Sequence, residues 1–215
     1  MIEAMLSGKR SGPITEGNTI FLLTDFNSIA DIVDKGPLNI PVAKGSTITV
    51  GQDSRGTYMN FPGGTWNSVV NFGSSLLNCN EMEINIKIAD IPQFSTTYGS
   101  LIFDQRPAGQ NGNYAIFGVD NSNGSNQRKA FTSIANTGYY GTTKWGVNDL
   151  LDVKLKYYSG KTELWVNSKL EASTNAHLSG IINNNAGLGR HAFSGVAGVN
   201  PLQAKIYKFE IRKIS

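Results

Sequence analysis

Between Leu151 and Leu170 the chain reads LDVKLKYYSGKTELWVNSKL, and this stretch leaves little freedom in what the protein can fold into. Val153, Leu155 and Tyr157 alternate with Lys154, Lys156 and Tyr158. Ser159-Gly160-Lys161 interrupts the run, and then Thr162, Leu164 and Val166 alternate with Glu163, Trp165 and Asn167. Successive side chains of a strand point to opposite faces, so this pattern predicts a β-hairpin with one buried face. A second reversal is predicted at Asn167-Ser168, because asparagine tolerates the positive φ of a tight turn. A three-stranded meander results. An isolated hairpin is only marginally stable in water, so its apolar face requires a second layer.

The rest of the chain supplies strands for that layer. Thr19-Ile20-Phe21-Leu22-Leu23 is the first apolar run and predicts a strand buried on both faces. DFNSIADIVDKGP allows one helical turn before Gly36-Pro37 ends it. Leu38–Val42 and Ser46–Val50 predict a hairpin around Lys44-Gly45. Gly56–Phe61 and Asn67–Phe72 predict two more strands around Pro62-Gly63-Gly64. In Met82–Ile88 the apolar residues alternate strictly with Glu83, Asn85 and Lys87. Ser100–Phe103, Tyr114–Val119 and Lys129–Ile134 continue the series. In the last strand, Lys205–Ile214, Ile206, Phe209 and Ile211 break the alternation in the manner of a β-bulge.

Short strands at regular spacing, without long amphipathic helices or a fixed repeat, indicate an all-β, two-sheet antiparallel sandwich. At 215 residues one such domain accommodates the chain. Residues 1–17 form an N-terminal arm ahead of a sandwich spanning 18–215. The charged fraction is 16%, below the roughly 25% of an average domain, which favours turns and strands over helices. The net charge of +3 is scattered, which argues against nucleic-acid binding. No stretch is apolar enough for membrane insertion. The single cysteine, Cys79, excludes an intrachain disulfide and is expected as a small buried residue. MIEAMLSGKRSGP lacks the apolar core of an export signal.

In order along the chain, TIFLLTDFN, GTYMNFPG, MEINIKI, VKLKYYSGKTELWVNSKLEAS, GLGR and AKIYKFEIRKIS resemble the concanavalin A-like, laminin-G-like jelly roll. Within the meander, Trp165, Val166 and Asn167 stand where that family has an aromatic, a hydrophobic residue and an Asn-Gly turn, with Ser168 in place of the glycine. The family's last strand is similar to Ile206 through Ile211. The resemblance covers residues 18–215. It implies two packed, curved antiparallel sheets, with rim loops or the concave face as the usual ligand site. Relatives of this type bind carbohydrate or protein, or are glycoside hydrolases or polysaccharide lyases.

The catalytic options lack their residues. The resemblance implies Glu-x-Asp-x-Glu-type strands for the hydrolases, whose chemistry needs two carboxyl groups about 5 Å apart in a retaining enzyme. Here Glu81-Met82-Glu83-Ile84-Asn85 has an asparagine at the second essential position, and Glu81 and Glu83 are expected on a solvated strand face. His177 and His191 adjoin neither a nucleophile elbow nor a metal-ligand spacing. A lyase pair is not recognisable around Tyr157, Tyr158 and His177.

Two polar loops remain. One follows Phe103 with Asp104 and Arg106, the other follows Val119 with Asp120 and Asn121; a third, Ile182–Gly187, is similar in character. Their amides, hydroxyls and carboxylates suit sugar hydroxyls. Asp120 and Asn121 are also the candidate ligands should Ca²⁺ bind; no other cofactor is expected. Tyr139, Tyr140 and Trp145, in turn-rich context, are the candidate stacking surface, whereas Trp165 falls in a strand.

The expectation is therefore a non-catalytic recognition or structural module. An extracellular type of fold without a visible export signal or disulfide fits a phage or prophage virion protein, such as a tail-fibre, baseplate or capsid-decorating component, assembled in the host cytoplasm. Its candidate partners are other virion proteins through residues 1–13, a host surface polysaccharide and further copies of the chain. The alternatives are a glycosidase or lyase of the same fold, and a purely structural interaction protein.

Overall fold

The computed structural model describes residues 18–65, 67–72, 81–93, 100–104, 116–120, 124–134, 137–158, 160–176, 186–189 and 201–214. Its strands in chain order are β1 (Asn18–Leu23), β2 (Val42–Lys44), β3 (Thr49–Asp53), β4 (Gly56–Pro62), β5 (Val70–Phe72), β6 (Met82–Ala89), β7 (Ser100–Asp104) and β8 (Ile116–Val119). They continue with β9 (Lys129–Ile134), β10 (Thr137–Lys144), β11 (Leu151–Tyr158), β12 (Lys161–Val166), β13 (Lys169–Thr174), β14 (Ala186–Leu188) and β15 (Gln203–Lys213). One sheet runs β13-β12-β11-β6-β15-β4-β3, with β1 also pairing β15; the other runs β10-β9-β8-β7-β14-β5-β2. Neighbouring strands are antiparallel throughout, and the two sheets form a jelly-roll sandwich.

The meander is β11–β12–β13. Asn167 and Ser168 both have left-handed φ, 49° and 66°, as a two-residue I′ turn requires, so the serine accepts the conformation that glycine usually takes. The Asn167 side chain secures the turn: its Oδ1 accepts from the Asp152 N–H at 2.8 Å. Met82, Ile84, Ile86 and Ile88 on β6 face inward, opposite Tyr157, Leu155, Val153 and Leu151 of β11, and all are buried. The bulge in β15 lies between Ile206 and Lys208. It restores the inward phase of Phe209 and Ile211, whose partners on β6 are Ile86 and Ile84. The first half of β15 pairs with β4 and the second half with β1, so this 11-residue strand ties the chain's beginning to its end.

Five sequence expectations are corrected. Leu38–Val42 and Ser46–Val50 are not a hairpin: β2 joins β5 in one sheet and β3 joins β4 in the other. Gly45 is the crossing point, where a Cβ would stand 1.7 Å from the Asn67 carbonyl oxygen. β1 is not buried on both faces; Phe21 and Leu23 are enclosed while Ile20 and Leu22 are half-covered. Tyr139 and Tyr140 lie in strand β10 rather than in turns. Ala186 and Gly187, expected in a loop, begin β14. Glu83 points outward as its phase demands, yet it is only 8% exposed, because long cationic side chains cover it.

Glu171 of β13 closes one flank of the sandwich. Its carboxylate accepts from the N–H groups of Thr142 and Thr143 at 2.6 and 2.8 Å and from the Thr143 hydroxyl at 2.6 Å. These donors lie where the β10–β9 register breaks, between Tyr140 and Lys144. Glycine at 141 is a packing requirement, since a Cβ would sit 2.9 Å from that carboxylate.

Candidate functional site

The outward positions of the eight-stranded sheet fall into cross-strand rows, because register places them opposite one another. Glu163, Lys156, Glu83 and Arg212 form one row across β12, β11, β6 and β15. The next contains Trp165, Lys154, Asn85 and Glu210. Alternating charge along a row is favourable between directly opposed strand residues.

Around these rows Glu163 and Glu210 are held as anions. Burial alone would raise the Glu163 carboxyl, but hydrogen bonds from Lys161, Tyr158 and the Trp165 indole overcome it and hold it at about 2. Trp165 Nε1 donates to Glu163 Oε2 at 2.9 Å, and Lys161 Nζ stands 2.6 Å from Oε1. Burial likewise opposes ionisation of Glu210, and Arg212, Thr19 and Lys208 reverse it, again to about 2. Glu83 accepts from the Asn85 amide at 2.9 Å, while Lys154, Lys156 and Arg212 approach it only to 3.7, 3.8 and 3.9 Å.

Beside these rows lies an open groove of about 300 Å³ lined by Asp152, Lys154, Lys156, Trp165 and Ser168. The half-buried indole forms an apolar wall whose orientation is fixed by its bond to Glu163. Along β11, Lys156, Lys154 and Asp152 are spaced by about 6.6 Å per pair of residues, so the groove is basic at one end and acidic at the other. Trp165 and Lys154 face each other across β12 and β11.

At the other end of the same face is a second polar cluster. Arg55 donates to Asp90 at 3.1 and 2.9 Å and to Asp53 at 2.9 Å. Lys205 stands 2.8 Å from Asp90 and 3.3 Å from Asp53, and Tyr207 donates its hydroxyl to Asp53 at 2.8 Å. The bond from Arg55 holds the Asp53 carboxyl well below the usual carboxylate range, and Asp90 is lowered first by Arg55 as well. The Tyr58 and Tyr207 rings meet edge-on at 5.6 Å, with Arg55 over one and Lys205 over the other.

The residues singled out from sequence do not assemble into one surface. Asp104 is fully buried at the end of β7, opposite Ile116. Asp120 follows Val119 and is 8% exposed, so the two carboxylates sit at opposite ends of β8, about 13 Å apart along the strand. Tyr139 and Trp145 pack against the core, whereas Tyr140 on the other face of β10 is 40% exposed and meets Phe131 at 5.5 Å. Neighbouring residues of a strand cannot form a joint platform. Buried Arg128 fixes the segment after β10 by donating to the carbonyls of Trp145 and Gly146 at 2.9 Å each. Arg106, Asn121, Cys79, both histidines and the N-terminal arm lie outside the described residues. Among the described residues, no three His, Cys, Asp or Glu side chains group as metal ligands, and no helix is long and apolar enough to cross a membrane.

Sequence reasoning missed Trp165 and the two lysines as a site because they fall inside a regular strand pattern. The available signal was phase: Lys154, Lys156 and Trp165 all occupy outward positions, where a large aromatic is not needed for the core.

No family of known proteins and no curated protein sequence matches the chain. Solved structures do match in fold. Domain 4 of AbnA, a GH43 extracellular arabinanase from Geobacillus stearothermophilus, solved with arabinotriose, superposes with a TM-score of 0.68 at 14% identity over 93% of this chain and 94% of that one. The binding domain of botulinum neurotoxin serotype G gives 0.66 at 11% identity, over 92% of this chain and 49% of that one. Trypanosoma rangeli sialidase, solved with sialic acid, gives 0.58 at 11% identity, over 93% of this chain and 31% of that one. The chain thus spans about half of the neurotoxin domain and about a third of the sialidase. At these identities the likeness shows the jelly-roll fold.

Proposed function

We propose that this chain is a non-catalytic carbohydrate-binding module that takes its glycan in the Trp165 groove. The observation that carries this is the combination lining one open groove: an indole held in place by Glu163, with Lys154, Lys156, Asp152 and Ser168 around it. An aromatic face covers the apolar side of a sugar ring while a few placed polar groups orient its hydroxyls. The groove rests on hydrogen-bonded strands, so little ordering has to accompany binding. The arabinanase domain that shares this fold over nearly its whole length was solved with an arabinotriose, which is in keeping with the reading.

The absence of catalysis is part of the proposal. Glycoside hydrolysis needs one carboxyl group kept protonated at working pH beside a second, ionised one. Glu163 and Glu210 on this face are held near 2 by hydrogen bonds from cationic and neutral donors around them, the reverse of what an acid catalyst needs. Asn85 bonds Glu83 from the position where a second acid would stand.

The same reading sets the module in a virion, as the recognition part of a tail fibre, baseplate or capsid decoration. Its support is compositional, a low charged fraction of 16% and a single cysteine. Peptide mass spectrometry of purified particles checks that placement. For the binding function, a glycan panel probed with the wild type, Trp165→Ala and Tyr140→Ala decides. Loss of binding in Trp165→Ala alone supports the groove; loss in Tyr140→Ala alone moves the site to the loops after Phe103 and Val119.

A further inference from the structure

We infer that the groove selects acidic saccharides, those carrying a carboxylate or sulfate, and binds them in a fixed direction; this rests on the glycan reading above. Lys154 and Lys156 both line the groove. The carboxylate nearest to each is Glu83, at 3.7 and 3.8 Å. Charge-assisted N–H···O bonds run to about 2.7–2.9 Å. Glu83 is shared with Arg212 at 3.9 Å and takes its one short bond from a neutral amide, that of Asn85. Arg212 is committed to Glu210 at 2.9 Å, so Lys154 and Lys156 are the loosely held pair, and two ammonium groups on one carboxylate leave positive charge uncompensated at this end of the groove.

Three other lysines on this face are bound differently. Lys161 is 2.6 Å from Glu163, Lys208 is 2.9 Å from Glu210 and Lys205 is 2.8 Å from Asp90. Those ammonium groups are committed to short ion pairs. Lys154 and Lys156 retain N–H donors that a ligand anion satisfies without breaking a short bond. The Lys154 side chain is 41% exposed, so an anion reaches it from solvent.

Direction follows from the groove's acidic end. Asp152 has Lys87 opposite it on β6 and offers an anion no donor of its own; it stands two residues beyond Lys154 on β11, near the Ser168 turn. The acidic group therefore sits between Lys154 and Lys156, the ring lies along Trp165, and neutral hydroxyls point to Asp152 and Ser168.

The test measures affinity for matched oligosaccharides differing only in the acidic group: a uronate and its methyl ester, a sialylated glycan and its asialo form, a sulfated glycan and its unsulfated form. The wild type should prefer the acidic member of at least one pair by about tenfold, with the preference shrinking as salt rises. Lys154→Gln/Lys156→Gln should bring that ratio to about one by weakening the acidic member far more than the neutral one, while leaving the melting temperature in place. Equal affinity for both members of every pair, or a preference that survives in the double variant, overturns the acidic inference and leaves the glycan reading standing. Binding to no member of any pair defeats the glycan reading itself.

Discussion

The outer face of the eight-stranded sheet carries two polar clusters made from similar residues and arranged to opposite effect. Around Arg55, two carboxylates, two cations and a tyrosine hydroxyl are joined at 2.8–3.3 Å. Around Glu83, Lys154 and Lys156 share one carboxylate from 3.7 and 3.8 Å, while Arg212, 3.9 Å away, has its short ion pair with Glu210 at 2.9 Å. Strand β6 links them, starting beside Glu83 and ending just before Asp90. The first cluster is closed: its donors and acceptors satisfy one another, and it staples the β3–β4 turn to β15 and to the end of β6. The second keeps donors over and adjoins a groove. A charged surface is thus informative about function through the lengths of its ion pairs more than through its net charge, because only the loosely paired groups have anything to offer a ligand.

The largest expected effect lies beneath both clusters. Ile86 is fully buried on β6, and Ile86→Ala should cost about 2–5 kcal/mol in a urea melt, without changing glycan affinity per folded molecule. A loss under about 1 kcal/mol would contradict the packing assigned to β6. Arg55→Met should separate the clusters: the melting temperature falls by roughly 2–6 °C, and binding is unchanged. If binding falls too, the closed cluster is a ligand site and the contrast drawn here fails.

Acid should act on the short-paired carboxylates. Glu163, Glu171 and Glu210 titrate near 2 in the folded chain against 4.5 ordinarily, so their contribution is full above about 4.5 and is lost as pH falls toward 2. For Glu171, burial opposes this, and the Thr143 hydroxyl and N–H, Lys169 and the Thr142 N–H outweigh it. Stability measured from pH 6 to pH 2 should decline over that window, and Glu171→Gln should flatten the decline. The smallest effect is expected at the open cluster, where Lys154→Gln/Lys156→Gln should shift stability by less than about 0.5 kcal/mol.

Most of the fold was legible because its strands are amphipathic. β6, β11 and β12 show their inward faces directly as alternation, and the bulge in β15 shows as a break in it. What escaped was set by contacts distant in sequence. Gly45 looks like a hairpin glycine, but glycine is required there because the Asn67 carbonyl passes over it where the chain crosses between the sheets. Gly138 and Gly141 made β10 resemble a turn, while the second is there to admit Glu171. For the site, polar loops attracted attention to Asp104 and Asp120, and burial removed both from the surface. Trp165 and the two lysines were hidden by the very regularity that identified their strands.

The central claim is that glycan lies against the outer face of β11 and β12. Titrating an acidic oligosaccharide that binds into isotopically labelled protein, and following amide and indole N–H resonances by two-dimensional NMR, tests it most directly. The shifts should concentrate on the Trp165 indole, Lys154, Lys156 and Ser168, while the amides of Arg55 and Asp90 stay still. Shifts centred instead on Tyr140 and on the segments following Asp104 and Asp120, with the Trp165 indole unmoved, would contradict it.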